Sequence, residues 1–342
     1  MIPAASPHPV SLEGDELRRR LTVFCRAHAD EVAEIGEVVT MPGHAGLSFG
    51  FELRGAPGRS RHVLRLPPAG VRHEGPSDVL RQAAILRALR PTAVPVPPVS
   101  WAGDDPRWFG RPYLITAWLP GTVIRLEGGG APPPDGLDAD ATARLAVAAL
   151  AELHRIDPRR LLPDLVPASP VEDVARWDRF AARGADPTLI ALAPVVRDRL
   201  LATSPRSRLP GLRHGDFQWS NLLFHAGRLA AVLDWELASV GAVLHDLGWL
   251  CLFSDAQAWS TTGGWPAAPA PQRLAELYAA HGGEVAELPW YRALAAYGFA
   301  IIAAFNLMLH RRGKRVDPLY EDLAPSVPRL LERALEVLDG AA

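Results

Sequence analysis

Three polar side chains in the second half of the chain have the types and the spacing that phosphoryl transfer requires. Asp216 stands on a loop opened by Gly215, and Asn221 follows five residues after Asp216, directly before the apolar run LLF. Asp234 ends the next apolar run, LAAVL, and two short strands joined by a turn would return it beside Asn221. Phosphoryl transfer needs a carboxylate beside the acceptor hydroxyl and hard oxygen ligands that hold Mg²⁺ on the nucleotide phosphates. The stretch supplies both kinds of group.

The same stretch contains a motif made of three ordered segments. It reads HGDFQWSN at 214–221, VLDWE at 232–236 and GAVLHDLGWL at 241–250. These segments resemble the aminoglycoside phosphotransferase and choline-kinase superfamily. The hallmark of that superfamily is His-Gly-Asp, four residues, Asn, then Ile/Val-Leu/Ile-Asp-Trp/Phe-Glu and a later Asp-Leu-Gly/Ala. The match of all three segments in order favours this resemblance over a surface turn that happens to be polar.

The resemblance implies a role for each polar residue of the motif. Asp216 would be the catalytic base, and Asn221 with Asp234 would be the Mg²⁺ ligands. His214 and Asp246 would buttress the loop rather than take part in the chemistry. These roles parallel the catalytic aspartate, catalytic-loop asparagine and metal-binding aspartate of protein kinases.

The nucleotide side of the sequence matches the superfamily less closely. The segment MPGHAGLSFGFEL at 41–53 lies where the superfamily has a nucleotide-binding loop between two strands. The resemblance implies phosphate contacts from backbone amides there, including those of Gly46 and Ser48. The segment lacks a GxGxxG pattern, so an ordinary hairpin turn is the alternative. Backbone groups at Ala117 and Trp118 would receive the adenine, which makes ATP the expected nucleotide and leaves GTP open.

The cation that should bind the nucleotide phosphates departs from the superfamily pattern. HVLRLPP at 62–68 matches the strand that usually supplies a lysine, but Arg65 stands there, and the only lysine of the chain is Lys314. An arginine at this place resembles one branch of the superfamily, the bacterial phosphotransferases similar to the kinase-like domain of some acyl-CoA dehydrogenases. Its guanidinium can pair with phosphate through two N–H groups at once.

The helix predicted at 77–89 departs from the pattern at the residue that should hold this cation. The superfamily has a glutamate there, whereas the alignment puts Gln82 at this position. An amide can accept one hydrogen bond from Arg65, but it supplies no counter-charge, and Glu74 in the preceding loop is a speculative substitute. This departure motivates an alternative function, a non-catalytic nucleotide-binding or regulatory protein on a kinase-like fold.

The order of the predicted elements indicates an α+β, bilobal protein-kinase-like fold. Residues 1–118 are expected to form an N-terminal nucleotide-binding lobe with an antiparallel sheet and a helix. Residues 119–342 are expected to form a mainly helical catalytic and substrate-binding lobe with one hairpin. Ser11 is expected to cap a first helix that runs through Leu12, Leu17 and Leu21. The later segments are predicted as a loop at 128–136 and helices at 138–155, 171–183, 188–203 and within 272–340.

Composition limits the partners and the compartment. A net charge of −2 argues against a nucleic-acid partner, because nucleic-acid binders usually have a basic face. Cys25 and Cys251 lie too far apart for a disulfide framework or a metal cluster. No signal peptide is recognisable, and the apolar run at 293–309 is shorter than a bilayer span and is predicted to be a buried core helix. We therefore expect a cytoplasmic protein without a membrane partner. The sequence does not indicate its oligomeric state.

The acceptor is the part that the sequence determines least. The segment SDAQAWSTTGGWP at 254–266 could stack on and hydrogen-bond a sugar or nucleoside. From Cys251 onward the chain has ten acidic and eight basic residues, without the marked acidity expected of a site for polycationic aminoglycosides. We expect an ATP-dependent and Mg²⁺-dependent O-phosphotransferase that acts on a hydroxyl of an antibiotic, nucleoside, sugar or related natural product. An antibiotic acceptor would make it a resistance enzyme. A metal hydrolase that uses His214, Asp216 and His245 is a third hypothesis.

Overall fold

The chain forms two compact units in a computed structural model. The first unit comprises Met1–Pro120 together with Asp234–Leu237, and the second comprises Gly121–Leu233 together with Ala238–Ala342. The expected helix cap at Ser11 and most of the predicted loop at 128–136 lie outside the described residues. The described residues are 14–41, 47–56, 58–125, 136–161, 166–184, 186–206, 210–260 and 263–340.

The first unit is built on an antiparallel sheet of five strands. The strands are β1 (Glu34–Met41), β2 (Leu47–Gly55), β3 (Gly58–Leu66), β4 (Val99–Gly103) and β5 (Tyr113–Ala117). Their order in the sheet is β1-β2-β3-β5-β4, and every neighbouring pair is antiparallel. Side chains alternate between the two faces of a strand, so one face of β2 buries Phe49, Phe51 and Leu53. This register places Ser48 of β2 directly opposite Arg65 of β3.

Three helices accompany this sheet: α1 (Gly14–His28), α2 (Val79–Leu89) and α3 (Pro106–Phe109). Helix α1 contains Leu17 and Leu21, as predicted, and it buries both side chains, while the ring of Phe24 packs against aromatic rings of β4, α3 and β5. Helix α2 begins after Asp78, whose carboxylate accepts the free N–H groups of Leu80 and Arg81. This cap fixes the start of the helix within two residues of the predicted position.

The second unit is mainly helical and contains two short antiparallel strand pairs. One pair joins β6 (Gly211–Arg213) to β9 (Ser239–Gly241), and the other joins β7 (Leu222–His225) to β8 (Arg228–Val232). Its helices are α4 (Ala139–His154), α5 (Pro158–Leu161), α6 (Pro170–Ala175), α7 (Asp178–Ala181), α8 (Ala193–Ala202), α9 (Leu244–Leu252), α10 (Pro271–Ala280), α11 (Leu288–Arg311), α12 (Leu319–Leu323) and α13 (Ser326–Leu338).

The hairpin of β7 and β8 confirms the predicted return of the chain after the motif. Ala226 and Gly227 form its turn with φ values of 50° and 72°, a pair of left-handed residues that matches the twist of two antiparallel strands. At the open end of the hairpin, the N–H of Leu233 donates to the main-chain oxygen of Asn221 over 2.8 Å. The hairpin therefore fixes where β8 ends, at Val232, two residues before Asp234.

Helix α11 is the central helix of the second unit. Among the described residues it is the one helix long and apolar enough to cross a membrane by length and composition, with a mean hydropathy of 1.7. Seventy-two per cent of that apolar window is buried within the fold, as expected for the predicted core helix. The backbone of Tyr291 in α11 approaches Gly248 of α9 so closely that a Cβ atom there would lie 2.6 Å from the Tyr291 carbonyl oxygen.

Two predicted helices are shorter than the sequence suggested. The helix predicted at 171–183 is two short helices, α6 and α7, and the break between them has no signal in the sequence. The helix predicted at 188–203 begins only at Ala193. The physical reason is Pro194, which lacks an N–H donor and is tolerated only in the first turn of a helix.

Candidate active site

The carboxylate of Asp216 is fixed by three side-chain donors within the second unit. Its Oδ1 accepts hydrogen bonds from Gln218 Nε2 at 2.9 Å and from the indole Nε1 of Trp249 at 2.6 Å. Its Oδ2 accepts one from Asn221 Nδ2 at 2.7 Å, and the same amide nitrogen donates to the Asp216 main-chain oxygen at 2.9 Å. Both oxygens therefore have donors, and the half-buried carboxylate is held in one orientation. A fixed carboxylate is what a group that receives an acceptor hydroxyl must provide.

Residues 214–221, which we call the catalytic loop after the role predicted for them, are anchored to Asp246 of α9. Asp246 is fully buried, and its carboxylate accepts the backbone N–H of His214 at 2.6 Å and that of Gly215 at 2.8 Å. Gly215 has a φ of 87°, a conformation that glycine adopts without steric cost. The Nε2 atom of His214 lies 2.7 Å from the main-chain oxygen of Leu233, just after β8. His214 and Asp246 thus contact the backbone of the loop and its surroundings, in keeping with a buttressing role.

Two histidines flank the buried carboxylate of Asp246. His154 Nε2 lies 3.4 Å from its Oδ2, and His245 Nδ1 lies 3.8 Å from its Oδ1. Burial alone would raise the pKa of Asp246, but the two neighbouring histidines, His154 and His245, outweigh burial and hold that pKa well below its usual range. Burial lowers the pKa of His245, so its ring is neutral at pH 7. No three His, Cys, Asp or Glu residues in the described parts are grouped as a metal site, so the hydrolase hypothesis for His214, Asp216 and His245 finds no cluster.

In the first unit, three side chains surround Arg65, the cation that the sequence predicts to bind the nucleotide phosphates. We define the arginine clamp as Arg65 of β3, Gln82 of α2, and Asp234 with Glu236 from the segment Asp234–Leu237. Arg65 Nη2 lies 2.6 Å from Glu236 Oε2 and 2.8 Å from Asp234 Oδ1, and Arg65 Nη1 donates to Gln82 Oε1 over 3.3 Å. Burial would lower the pKa of Arg65, but the charges of Asp234 and Glu236 overcome burial and raise it. The guanidinium is therefore permanently charged.

The structure supplies a counter-charge for Arg65 that the sequence did not reveal. Glu236 makes the shortest of the contacts to Arg65, whereas Glu74, the speculative substitute, is exposed beside a short turn of helix at Gly75–Ser77. Glu236 is the last residue of the VLDWE segment, so the motif pointed to the residue. Nothing in the motif indicates that the carboxylate of Glu236 contacts a strand residue 171 positions earlier in the chain.

Asp234 combines an unusual backbone with an available oxygen. Its φ of 62° lies in the left-handed region, where a residue other than glycine costs on the order of 1–3 kcal/mol. Its Oδ1 is buried and, within the described part of the chain, accepts no hydrogen bond of good geometry, although Arg65 lies beside it. A buried carboxylate oxygen that is already paired with a positive charge also suits a hard cation such as Mg²⁺. Strained backbone and an unsatisfied oxygen together are typical of a functional residue.

The expected phosphate-binding loop is described only in part. Gly46 lies outside the described residues, and Ser48 is the second residue of β2. The register of β2 and β3 places Ser48 opposite Arg65, so this end of the sheet presents a hydroxyl on the strand beside the cation. The phosphate contacts of Gly46 and Ser48 stay predictions.

The predicted adenine contacts fall at the end of β5. The N–H of Ala117 donates to the main-chain oxygen of Pro98, and the N–H of Trp118 donates to that of Arg61, each over 2.9 Å. An adenine contact through either N–H group would therefore require an exchange of partners. The ring of Trp118 fills the space beside Gly50, where a Cβ atom would lie 2.6 Å from the indole. The roles of Ala117 and Trp118 stay predictions.

An aromatic cluster adjoins the catalytic loop in the second unit, and we define it as Trp249, Phe253, Trp259 and Phe299. Trp249, the donor to Asp216, has its ring centroid 5.9 Å from Phe253 and 6.0 Å from Phe299. Trp259 lies 5.5 Å from Phe253 and 5.3 Å from Phe299, and both Trp259 and Phe299 are half-buried. The cluster therefore extends from the carboxylate of Asp216 to partly accessible aromatic rings.

The acidic residue nearest in sequence to this cluster is neutralised. Asp255 is buried, and its carboxylate pairs with Arg292 at 3.0 Å and with Arg333 at 2.9 Å. Of the segment 254–266 that the sequence assigned to the acceptor, Thr261 and Thr262 lie outside the described residues. In the described part of this segment, the side chains include aromatic rings and one carboxylate that is paired with two arginines, so the segment offers no exposed negative charge to a cationic acceptor.

Comparison with known proteins identifies the family. The model of the phosphotransferase enzyme family matches residues 42–294. The probable acyl-CoA dehydrogenase IBR3 of Arabidopsis thaliana is 27% identical over 231 residues, which cover 61% of this chain and 27% of that protein. The acyl-CoA dehydrogenase family member 10 of Mus musculus is 29% identical over 199 residues, which cover 56% of this chain and 18% of that protein. The chain thus matches only about a quarter or less of the length of these two relatives.

Solved structures share the fold over nearly the whole chain. A protein of Ralstonia eutropha assigned to the aminoglycoside phosphotransferases has a TM-score of 0.72 at 20% identity, covering 94% of this chain and 98% of that one. The macrolide 2'-phosphotransferase MphH of Brachybacterium faecium has a TM-score of 0.57 at 20% identity, covering 91% and 97%. The aminoglycoside phosphotransferase APH(4)-Ia, in complex with ADP and hygromycin B, has a TM-score of 0.59 at 17% identity, covering 94% and 98%. The predicted α+β fold class and the predicted superfamily are confirmed.

Proposed function

Because the chain belongs to the phosphotransferase enzyme family, we propose that it is an ATP-dependent kinase that transfers the γ-phosphate to a hydroxyl group of a small molecule. The observation that carries this proposal is the fixed carboxylate of Asp216, which lies in the HGDFQWSN loop. It accepts hydrogen bonds from Gln218, Asn221 and Trp249. The complexes of structural neighbours with ADP and with AMP-PNP support ATP as the donor. GTP is left open.

Each residue of the site has a proposed role in one displacement. The oxygen of the acceptor hydroxyl forms a bond to the γ-phosphorus of ATP, and Asp216 accepts the proton of that hydroxyl. The bond from the γ-phosphorus to the bridging oxygen breaks, and ADP leaves. Asn221, whose nitrogen donates to Asp216, has its amide oxygen left for Mg²⁺, and Asp234 contributes its buried Oδ1. Bound Mg²⁺ supplies charge neutralisation on the phosphates. Arg65 adds a second positive charge to the same phosphates.

The acceptor in this proposal is a small hydroxylated compound with an aromatic or apolar face. The aromatic cluster beside Asp216 and the pairing of Asp255 with two arginines support such an acceptor over a polycation. Antibiotics, nucleosides, sugars and related natural products fit this description, and resistance to an antibiotic is one consequence. The proposal includes a cytoplasmic location, with no nucleic-acid or membrane partner. The departures at Arg65 and Gln82 motivated the non-catalytic alternative, and the counter-charge that Glu236 gives Arg65 supports the catalytic proposal over it.

The test combines a screen for acceptors with a single substitution. Purified protein, Mg-ATP and a panel of antibiotics, nucleosides, sugars and alcohols are incubated, and phosphorylated products are identified by mass spectrometry. Asp216→Asn should lower turnover by at least about 10²–10³-fold, the range of a lost general base, while nucleotide affinity stays within about threefold. The matched control is Asp198→Asn, an exposed aspartate of α8, which should leave turnover unchanged. Full turnover in Asp216→Asn would refute the assignment, and nucleotide binding without transfer to any acceptor would favour the non-catalytic alternative.

A further inference from the structure

We propose that Glu236 is the fixed counter-ion of Arg65 and takes the place of the glutamate missing from α2, so that Arg65 can leave Asp234 when a metal-bound nucleotide arrives. This inference rests on the proposed function, since it concerns how the same site receives its nucleotide. Glu236 is a positioning residue here, because it acts on the phosphates and the metal ligand only through Arg65.

The residue on α2 orients the guanidinium without giving it a counter-charge. Gln82 is buried, and its Nε2 donates to the main-chain oxygen of Pro76 at 3.0 Å. That bond fixes the amide so that Oε1 faces Arg65 Nη1, 3.3 Å away. A neutral amide at this distance sets the plane of the guanidinium, but the charge of a largely buried arginine still needs an anion.

Glu236 supplies that anion from a segment that α2 itself holds. Arg81 Nη2, on the helix residue next to Gln82, donates to the main-chain oxygen of Glu236 over 2.6 Å. The Glu236 side chain is 15% exposed and lies 2.6 Å from Arg65 Nη2, whose side chain is 21% exposed. The helix therefore contributes a neutral amide to Arg65, and the glutamate that ends the VLDWE segment contributes the negative charge. The amide comes from the helix, and the charge comes from the segment after Asp234.

The two carboxylates at Arg65 Nη2 are not equivalent. Glu236 Oε2 accepts a well-aligned hydrogen bond at 2.6 Å, whereas the contact of Asp234 Oδ1, at 2.8 Å, is longer and less well aligned. Asp234 is also the more open of the two, with its side chain 36% exposed. Glu236 is thus the permanent partner, and the contact with Asp234 is the one that breaks. Without Glu236, Arg65 would have Asp234 as its main anion and would compete with Mg²⁺ for the same oxygen.

The experiment measures nucleotide binding by calorimetry as a function of Mg²⁺ concentration, with ADP and AMP-PNP as probes. In Glu236→Gln, the Mg²⁺ concentration that gives half-maximal nucleotide affinity should rise by about tenfold, the lower end for losing a residue that supports a metal ligand. Affinity for either nucleotide without Mg²⁺ should change by less than about threefold. The matched control is Glu74→Gln, the same chemical change at an exposed site of the same unit, which should leave both quantities unchanged.

A second variant tests whether the negative charge beside Arg65 can come from the helix instead of from residue 236. Gln82→Glu together with Glu236→Gln returns the charge to the helix position, and it should restore the Mg²⁺ dependence to within about threefold of the wild type. The melting midpoint of each variant is measured as well, to separate an effect on Arg65 from partial unfolding. A merely structural role of Glu236 would not be rescued by a glutamate on α2. Equal tightening of both nucleotide forms in Glu236→Gln would overturn the inference, since it would make Glu236 only a source of repulsion. A wild type that binds no nucleotide would instead overturn the proposed function.

Discussion

Replacing Asp246 by asparagine tests whether the catalytic loop depends on one buried charge. Asp246 Oδ2 accepts the N–H of His214 and Oδ1 accepts that of Gly215, so both carboxylate oxygens face backbone donors. Asparagine has almost the same shape, but one of its two terminal atoms is an NH₂ donor. Whichever way the amide turns, one backbone N–H of the loop meets a donor and loses its partner.

The expected loss of stability can be worked out from the hydrogen bond that this substitution removes. A hydrogen bond to a charged group contributes about 1.5–3 kcal/mol, and a buried donor without a partner costs about 1–3 kcal/mol. We therefore expect Asp246→Asn to lower the free energy of unfolding of the second unit by about 3 kcal/mol. For a unit of this size, that corresponds to a fall in Tm of about 6–12 °C. Asp198→Asn, whose parent side chain is 78% exposed and 3.7 Å from Arg197, should change stability by less than about 0.5 kcal/mol.

The difference in unfolding free energy between wild type and Asp246→Asn should depend on pH, and this dependence gives a sharper assay. The folded-state pKa of Asp246 is held below its usual range, so its contribution is fully present above the unfolded value, near 4, and is lost as the pH falls further. Urea unfolding at pH 7, 5, 4 and 3 should give a constant stability difference between wild type and Asp246→Asn down to about pH 5. Below pH 4 the difference should shrink, by at most about 1.4 kcal/mol per pH unit. A difference that is the same at pH 7 and pH 3, or one as small as that of Asp198→Asn, would refute the reasoning.

Two further substitutions test contacts of α9. Trp249→Phe removes the 2.6 Å bond to Asp216 and should lower kcat about tenfold with nucleotide Kd unchanged, measured by steady-state kinetics and calorimetry on the acceptor that the screen identifies. Trp290→Phe is its control, because that indole donates to a main-chain oxygen in α8, and a fall in kcat as large there would contradict a specific role for Trp249. Gly248→Ala should destabilise the second unit by about 1–3 kcal/mol in thermal unfolding despite the better helix propensity of alanine, because the new Cβ would meet the backbone of Tyr291 at 2.6 Å. An unchanged or raised Tm would contradict that clash.

The sequence predicted local features of the site better than its long-range contacts. The hairpin turn at Ala226 and Gly227 is set by local backbone preferences, so turn chemistry was sufficient to predict it. The hydrogen bond between Asn221 and Asp216 was not predicted, although it joins two residues of one short motif. Trp249 was missed as a partner of Asp216, since nothing in the motif reveals which side of α9 faces the loop. Glu236 was missed for a similar reason, because its ion pair is set by how the segment after β8 meets β3 in the folded chain.

The two departures from the superfamily pattern have a common physical explanation in the arginine clamp. A lysine ammonium is a compact charge that needs an anion beside it, and a helix glutamate serves that purpose. A guanidinium is a planar fork, and here its two terminal nitrogens have different partners. Nη1 donates to the amide of Gln82, and Nη2 contacts the carboxylates of Glu236 and Asp234. Once the charge is balanced at Nη2, the helix position needs only a neutral acceptor that fixes the plane of the fork. Arg65 and Gln82 are therefore best understood as a matched pair, and Glu236 is the residue that makes the pair possible.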